Sequence, residues 1–186
     1  VALFSSRISA RIALEVDFPV EVDLNDAAAV EARAAELAGR AGVAGVVSLV
    51  EYRVPLAARV GEMLGCGHSL PVAAAERCRS KRLMREALRR AGVPSPGFRV
   101  VAPGEDVDRA VAELGLPVVV KPSNDSGSNL VCMSSTVEEA RAAVEAVRAA
   151  GRNLVGQPLE SDVLVEEFMP GREISVESCV FGGRTL

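Results

Sequence analysis

The run Leu116-Pro-Val-Val-Val-Lys-Pro122 constrains this chain more than any other stretch. Three consecutive valines between prolines leave no room for a helix and suit a strand buried on both faces. Such a strand does not normally finish on an ammonium group, because a lysine removed from water without a partner is disfavoured. Lys121 opens onto Ser123 to Asn129, short side chains around Gly127, whose backbone N–H groups can turn toward an anion. Strand, lysine and amide-rich mobile loop together read as a phosphate clamp. Taken alone, the stretch also admits a lysine that merely reaches solvent at a strand end. It is not the P-loop, since G-x-x-x-x-G-K-[ST] is absent.

Around this strand the pattern alternates between strand and helix, the signature of an α/β layered chain. Residues 12–24 alternate loosely and predict one or two short strands broken at Pro19. Asn25-Asp26 stands at the N-cap of an alanine-rich helix over about 26–41. Residues 44–52 predict a buried parallel strand, and about 55–65 a second helix. A helix over 73–91 follows, with Met84, Ala87, Leu88 and Ala91 as its apolar stripe and Lys81 at the stripe's edge. Gly92-Val-Pro-Ser-Pro96 stops it and marks a boundary between subdomains. Beyond lie an expected strand at 97–101, a helix at 104–115, the valine strand at 116–122 and a strand at 130–134. Thr136 and Glu139 have capping-box spacing and open a helix to about 150. Residues 163–171 and 172–181 read as two more strands, with a hairpin turn at 182–185.

Bulk properties exclude several classes. A net charge of -4 with 49% hydrophobic residues argues against a duplex nucleic-acid binder, which would carry a basic face. No apolar run approaches the roughly 20 residues needed to cross a bilayer, and the N-terminal stretch lacks the order of a secretion signal. Four scattered cysteines without a CxxC pair and a single histidine leave little for a zinc site. The thiols are expected to be reduced and mostly buried, in a cytoplasmic protein. His68, between Gly67 and Ser69, reads as a surface residue rather than a base. With 3% aromatic residues, the core must be valine, leucine and alanine.

The second chemical stretch is Val163-Leu-Val-Glu-Glu-Phe-Met-Pro-Gly-Arg-Glu-Ile-Ser-Val-Glu177. Side chains alternate along a strand, so Glu166 and Glu167 point to opposite sides, while Glu173 and Glu177 share one. A carboxylate at an apolar strand end can accept strong hydrogen bonds from an amine or from sugar hydroxyls. Alone, the stretch also fits a polar edge of solvated glutamates. Asp125 can cap its own backbone or face phosphate, and the cap is favoured because its charge would repel an anion.

Lys81 at a helix edge, then VVVKP with its Gly/Ser loop, then VEEF-x-PG-x-E-x-S-V-E, resembles the ATP-grasp superfamily over roughly residues 20–186. The resemblance implies a partial Rossmann-like N-terminal domain (1–92), the ATP-grasp small or lid subdomain (93–168) and the start of the central subdomain (169–186). It implies that Lys81 and Lys121 contact nucleotide phosphates, while Ser126, Gly127 and Ser128 close over them. Glu166 would accept the adenine amino group, the backbone from Glu167 through Phe168 to Met169 would read the ring edge, and Glu173 would take the ribose hydroxyls. It implies an ATP-dependent carboxylate–amine or amino acid ligase working through an acylphosphate, with ATP and a small carboxylate and amine as partners, and a homodimer as an open option. Magnesium is expected for the parent enzyme, with its ligands outside this chain. No metal ligand is assigned among these residues, nor any catalytic residue.

The pattern also departs from the family. Asn129 and Leu130 stand where a further glycine is common, Arg82 follows Lys81, and the glycine-rich first turn of the N-terminal domain is missing. The chain is therefore expected to be an internal piece of a longer ligase, cut at both ends, and inactive by itself. Competing readings are a non-catalytic nucleotide-binding domain with a degenerate clamp, and an acid–thiol ligase or biotin-dependent carboxylase of the same superfamily.

Overall fold

The computed structural model describes residues 1–67, 69–181 and 184–185; His68, Leu186 and the first two residues of the turn expected at 182–185 lie outside them. Ala2–Ser5 (β1) and Phe18–Glu21 (β2) pair in parallel, with Ala10–Ala13 (α1) between them. Pro19 therefore lies inside a strand instead of breaking one. In a two-stranded sheet β2 has an open edge, where a residue without an N–H costs nothing. Asp26 caps Ala27–Ala38 (α2) by accepting from the Ala29 N–H at 2.9 Å. A 3-10 turn at Glu51–Arg53 leads into Val54–Met63 (α3). Val30, Ala34 and Val60 are the buried centre of this lobe, with Phe4, Val22 and Leu24 packed on them.

The strand expected at 44–52 does not form. Val47 is 83% and Leu49 98% exposed. A strand is stable only when a neighbour completes its ladder, and neither β1 nor β2 pairs with this segment.

The single helix expected over 73–91 is two. Val72–Arg79 (α4) stops at Ser80, which is extended (φ -94°, ψ 115°), and Lys81–Arg90 (α5) begins directly after it. Serine competes with a helix backbone through its own hydroxyl. Here the Ser80 oxygen caps α5 by accepting from the Leu83 N–H at 3.4 Å. The Lys81 N–H, released from the α4 ladder, donates to the Ser123 carbonyl at 2.8 Å. The apolar periodicity runs through the break and hides it.

The remainder is an antiparallel sheet with two helices. Phe98–Val101 (β3), Val118–Pro122 (β4), Cys132–Ser134 (β5) and Val163–Glu167 (β6) pair in the order β3-β6-β4-β5. Val107–Leu114 (α6) and Val137–Ala150 (α7) cover one face. There Val118, Val120, Val163 and Val165, all essentially inaccessible, meet Val111, Ala140 and Val144. Each fully buried valine contributes about 1.5–3 kcal/mol of burial free energy, so this packing fixes the register of β4 against β6. At the start of α7 the Thr136 hydroxyl oxygen accepts from the Glu139 N–H at 3.2 Å. Glu139 reaches back one residue beyond the cap and accepts from the Ser135 N–H at 2.7 Å.

β6 ends at Glu167, and the strand expected over 172–181 is reduced to Val180–Phe181 (β7), paired with Arg184–Thr185 (β8). Residues 171–179 are exposed, so their alternation has no face to bury. The thiols also differ from expectation: all four cysteines are free, but only Cys66 is buried. No helix among the described residues is long and apolar enough to cross a membrane.

Candidate nucleotide site

The sheet face away from α6 and α7 carries the polar groups. Along β4, Val118, Val120 and Pro122 point into the core, so Val119 and Lys121 point the other way. Along β6, Leu164 and Glu166 share that outer face, while Glu167 turns opposite. In the antiparallel register Lys121 pairs with Leu164 and Val119 with Glu166. Lys121 and Glu166 are thus diagonal neighbours on one face, within reach of long side chains. The Lys121 ammonium donates to Glu166 Oε2.

Glu166 is 4% exposed and has a second partner. Arg85, one turn beyond Lys81 on α5, donates from Nε to Oε1 at 2.6 Å and from Nη2 to Oε2 at 3.1 Å. Burial alone would raise the pKa of this carboxyl, but Arg85 and Lys121 outweigh burial and hold it below the usual carboxylate range. The Glu166 carboxylate, which the resemblance assigned to the adenine amino group, is engaged by two cations from separate elements. Oε1 retains one acceptor lone pair beyond the Arg85 bond.

Lys81 faces the same region from the start of α5. Its ammonium donates to the Asp125 carbonyl. Burial is the main cause of its lowered pKa; the like charges of Arg79 and Lys121 lower it further, against Glu51 and Asp125. The two lysines are close enough to repel each other. Among the chain's 21 lysines and arginines, Lys81 and Lys121 are the only lysines.

The loop after β4 is built in two halves. Ser123 and Asp125 are buried at 1% exposure, whereas Gly127 and Ser128 at the tip are exposed. Asp125 accepts from the Tyr52 hydroxyl at 2.7 Å, the Ser126 N–H at 2.9 Å and Asn129 Nδ2 at 2.7 Å. Burial would raise its pKa, but these bonds and the charge of Arg79 hold it low. The reading of Asp125 as a cap on its own backbone matches this geometry. Arg79, itself 9% exposed, donates to the Asn124 and Asp125 carbonyls and lies over the Tyr52 ring, 4.7 Å from its centroid. Ser126 Oγ bonds Glu51. The base of the loop is therefore anchored to the N-terminal lobe rather than mobile throughout. At its tip Ser128 (φ 57°) and Leu130 (φ 56°) adopt the left-handed conformation that favours glycine. Leu130, where a glycine is common in the family, tolerates it while packing against the sheet core.

Other expected site residues are less engaged. The Glu167 backbone N–H donates to the Gly97 carbonyl at 2.9 Å, and its carboxylate accepts from the Gly97 N–H at 2.6 Å. A Cβ at position 97 would lie 2.9 Å from the Glu167 carboxylate, so a larger residue would push that side chain away from the Gly97 N–H. Phe168 and Met169 are 40% and 65% exposed. Glu173 and Glu177 are exposed and make no ion pair or hydrogen bond to a described residue. Arg148 reaches from α7 to the Val101 and Ala102 carbonyls at 3.3 and 2.9 Å. Sequence reasoning missed Tyr52, Arg79 and Arg85. Arg85 had a signal, lying four residues after Lys81 on one helical face.

A crevice of about 610 Å³ lies elsewhere, between Tyr52, Arg53, Arg59, Arg79 and Arg152. It includes neither lysine nor Glu166, so the converging charges rather than the volume define the candidate site. Among the described residues no group of three or more His, Cys, Asp or Glu could hold a metal ion.

A four-stranded antiparallel sheet with two helices on one face and Lys121 and Glu166 on the other, beside a serine- and glycine-bearing loop, is consistent with part of an ATP-grasp fold. The chain belongs to the family described as phosphoribosylglycinamide synthetase, ATP-grasp (A) domain, whose model matches residues 79–186. A D-alanine–D-alanine ligase of Actinobacillus pleuropneumoniae is 39% identical over 124 residues, covering 66% of this chain and 36% of the relative. One from Geobacter sulfurreducens is 34% identical over 97 residues, covering 52% and 28%. Among solved structures, an L-amino acid ligase from Bacillus licheniformis superposes with a TM-score of 0.64 at 26% identity, over 84% of this chain and 34% of that one. A phosphoribosylglycinamide synthetase from Anaerococcus prevotii shares the fold, with a TM-score of 0.58 at 21% identity over 90% and 39%. The chain thus spans about a third of the length of the curated relatives it matches.

Proposed function

We propose that this chain is the ATP-binding portion of an ATP-dependent carboxylate–amine ligase whose acid substrate is an amino acid. The carrying observation is the convergence of Lys81 and Lys121 from α5 and β4 on one region beside the loop, the only two lysines in a chain that otherwise uses arginine. Family membership and the named activities of the D-alanine–D-alanine and L-amino acid ligases support it. In this reading residues 1–92 are a partial Rossmann-like domain, 93–168 the lid and 169–186 the start of the central subdomain.

Two ammonium groups and a loop with an exposed tip at Gly127 and Ser128 suit a triphosphate, and the half-buried Val119 offers an apolar contact beside them. Lys81 and Lys121 would neutralise phosphate charge, and Ser126, Gly127 and Ser128 would shield it from water. Glu166 and the Glu167–Met169 backbone would meet the purine, and Glu173 the ribose. The reaction class is transfer of the γ-phosphoryl group to the acid's carboxylate with ADP leaving, then displacement of phosphate at the acyl carbon by the amine. Such transfer depends mostly on positioning and charge neutralisation. No described residue is assigned to magnesium.

The test is ATP titration of the chain by calorimetry. Lys121→Ala should weaken binding about ten- to hundredfold, the worth of a hydrogen bond to a charged group. Arg40→Ala, at an exposed position without an ion pair to a described residue, should leave it unchanged. Equal effects of the two would sink the reading.

A further inference from the structure

Glu166 has two cationic partners of different kinds. Arg85 grips it with two donors of a fixed fork, whereas Lys121 reaches it through a single ammonium on a flexible stem. Resting on the nucleotide reading above, we infer that Arg85 is a positioning residue: it holds Glu166 so that Lys121 can exchange this carboxylate for a nucleotide phosphate. Without Arg85, any movement of Lys121 toward a phosphate would leave a carboxylate of 4% exposure with no counter-ion, a costly state for a buried charge. With Arg85 in place, both Glu166 oxygens keep a donor while Lys121 leaves. The three groups together carry one net positive charge, which attracts an anion; the Lys121–Glu166 pair alone carries none.

The charged group nearest the cluster is Lys81 on α5, which the like charge of Lys121 reaches, and around Lys81 stand Arg79 from α4, Asp125 from the loop and Glu51 from the 3-10 turn; Arg82 on α5 pairs instead with Glu86 and Asp162. None of these makes a salt bridge to Glu166, so the exchange depends on Arg85.

Amine-selective labelling of the 186-residue chain, read by peptide mass, tests this directly, because Lys81, Lys121 and the Val1 amine are its only aliphatic amines. In Arg85→Met, Lys121 becomes the sole partner of Glu166 and loses a repelling neighbour. Its ammonium is then held by the carboxylate without competition, so Lys121 should label roughly tenfold more slowly at fixed pH, about the worth of one hydrogen bond between charged groups, with Val1 unchanged. In Arg85→Met/Glu166→Gln the slowing should disappear relative to Glu166→Gln alone, and Arg85→Lys should recover most of the wild-type rate. A general structural defect would instead speed labelling at both lysines. In the binding arm, Arg85→Met should weaken ATP and inorganic tripolyphosphate about ten- to hundredfold and adenosine, which meets Glu166 alone, less than either. Unchanged Lys121 labelling, or equal loss of adenosine and tripolyphosphate, overturns the role of Arg85 while the nucleotide reading stands. Failure of ATP and tripolyphosphate to bind or protect either lysine in the wild-type chain overturns the nucleotide reading, and the exchange with it.

Discussion

Replacing Asp125 by alanine tests the construction of the loop separately from its ligand. The carboxylate, 1% exposed, accepts from the Tyr52 hydroxyl, the Ser126 N–H and Asn129 Nδ2, all between 2.7 and 2.9 Å. All three donors are partly buried; the Ser126 bond joins adjacent residues, so its N–H turns most easily to water, and the Tyr52 and Asn129 bonds carry most of the cost. Two bonds to a charged acceptor, at about 1.5–3 kcal/mol each, set the upper range. Partial solvation brings the expected loss to about 3 kcal/mol. For a chain of this length that corresponds to roughly 6–12 °C in Tm, at about 2–4 °C per kcal/mol. Urea unfolding followed by circular dichroism reads it at pH 7. The pH dependence supplies the control. Asp125 has a lowered folded-state pKa, so its contribution is complete above the unfolded carboxylate value and is lost as pH falls through the lower folded value. Wild type and Asp125→Ala should therefore converge in acid. A deficit below about 0.5 kcal/mol, the size of an ordinary surface substitution, or one that stays constant into acid, would refute the claim that this carboxylate organises the loop.

Ser128→Gly should stabilise the chain by up to about 1 kcal/mol, because glycine adopts the left-handed conformation at φ 57° without the Cβ penalty; a lower melting temperature would show that the Ser128 side chain has a partner at the tip. Thr136→Ala should cost about 1 kcal/mol by removing the cap on the Glu139 N–H at the start of α7, read as a lower urea midpoint with an unchanged slope.

Legibility followed how locally each element is determined. The valine run of β4, the Asp26 and Thr136 caps and the opposite directions of Glu166 and Glu167 were readable because each depends on a few neighbouring residues. The segment 44–52 was misread because apolar character marks a strand only when another strand supplies the ladder, and no local pattern records that absence. Ser80 was misread for the opposite reason. Its break depends on the Ser123 carbonyl and hydroxyl, 43 residues away, while the local periodicity favoured a continuous helix. Lys121 stood out in the sequence as a charge ending an apolar strand, and Lys81 as one at the edge of an apolar helix stripe. Arg85, Arg79 and Tyr52 were not, because an arginine or tyrosine on a helix or turn has many uses, and only the tertiary register brings these three to Glu166 and Asp125.

That register also explains why lysine appears at only two positions. A guanidinium at position 121 would present several donors in a rigid fork to Glu166 and would compete with Arg85 for the same two oxygens. An ammonium offers a compact charge on a flexible stem and can be transferred between acceptors with little rearrangement. At position 81 the same compactness lets the side chain reach the Asp125 carbonyl beside Arg79, where a second planar group would crowd the one lying over Tyr52. Arginine fills the fixed places, Arg79 under the loop and Arg85 against Glu166, where a bidentate or stacked grip favours permanence. On the proposed nucleotide reading, lysine fills the two places from which a charge would be free to meet a phosphate.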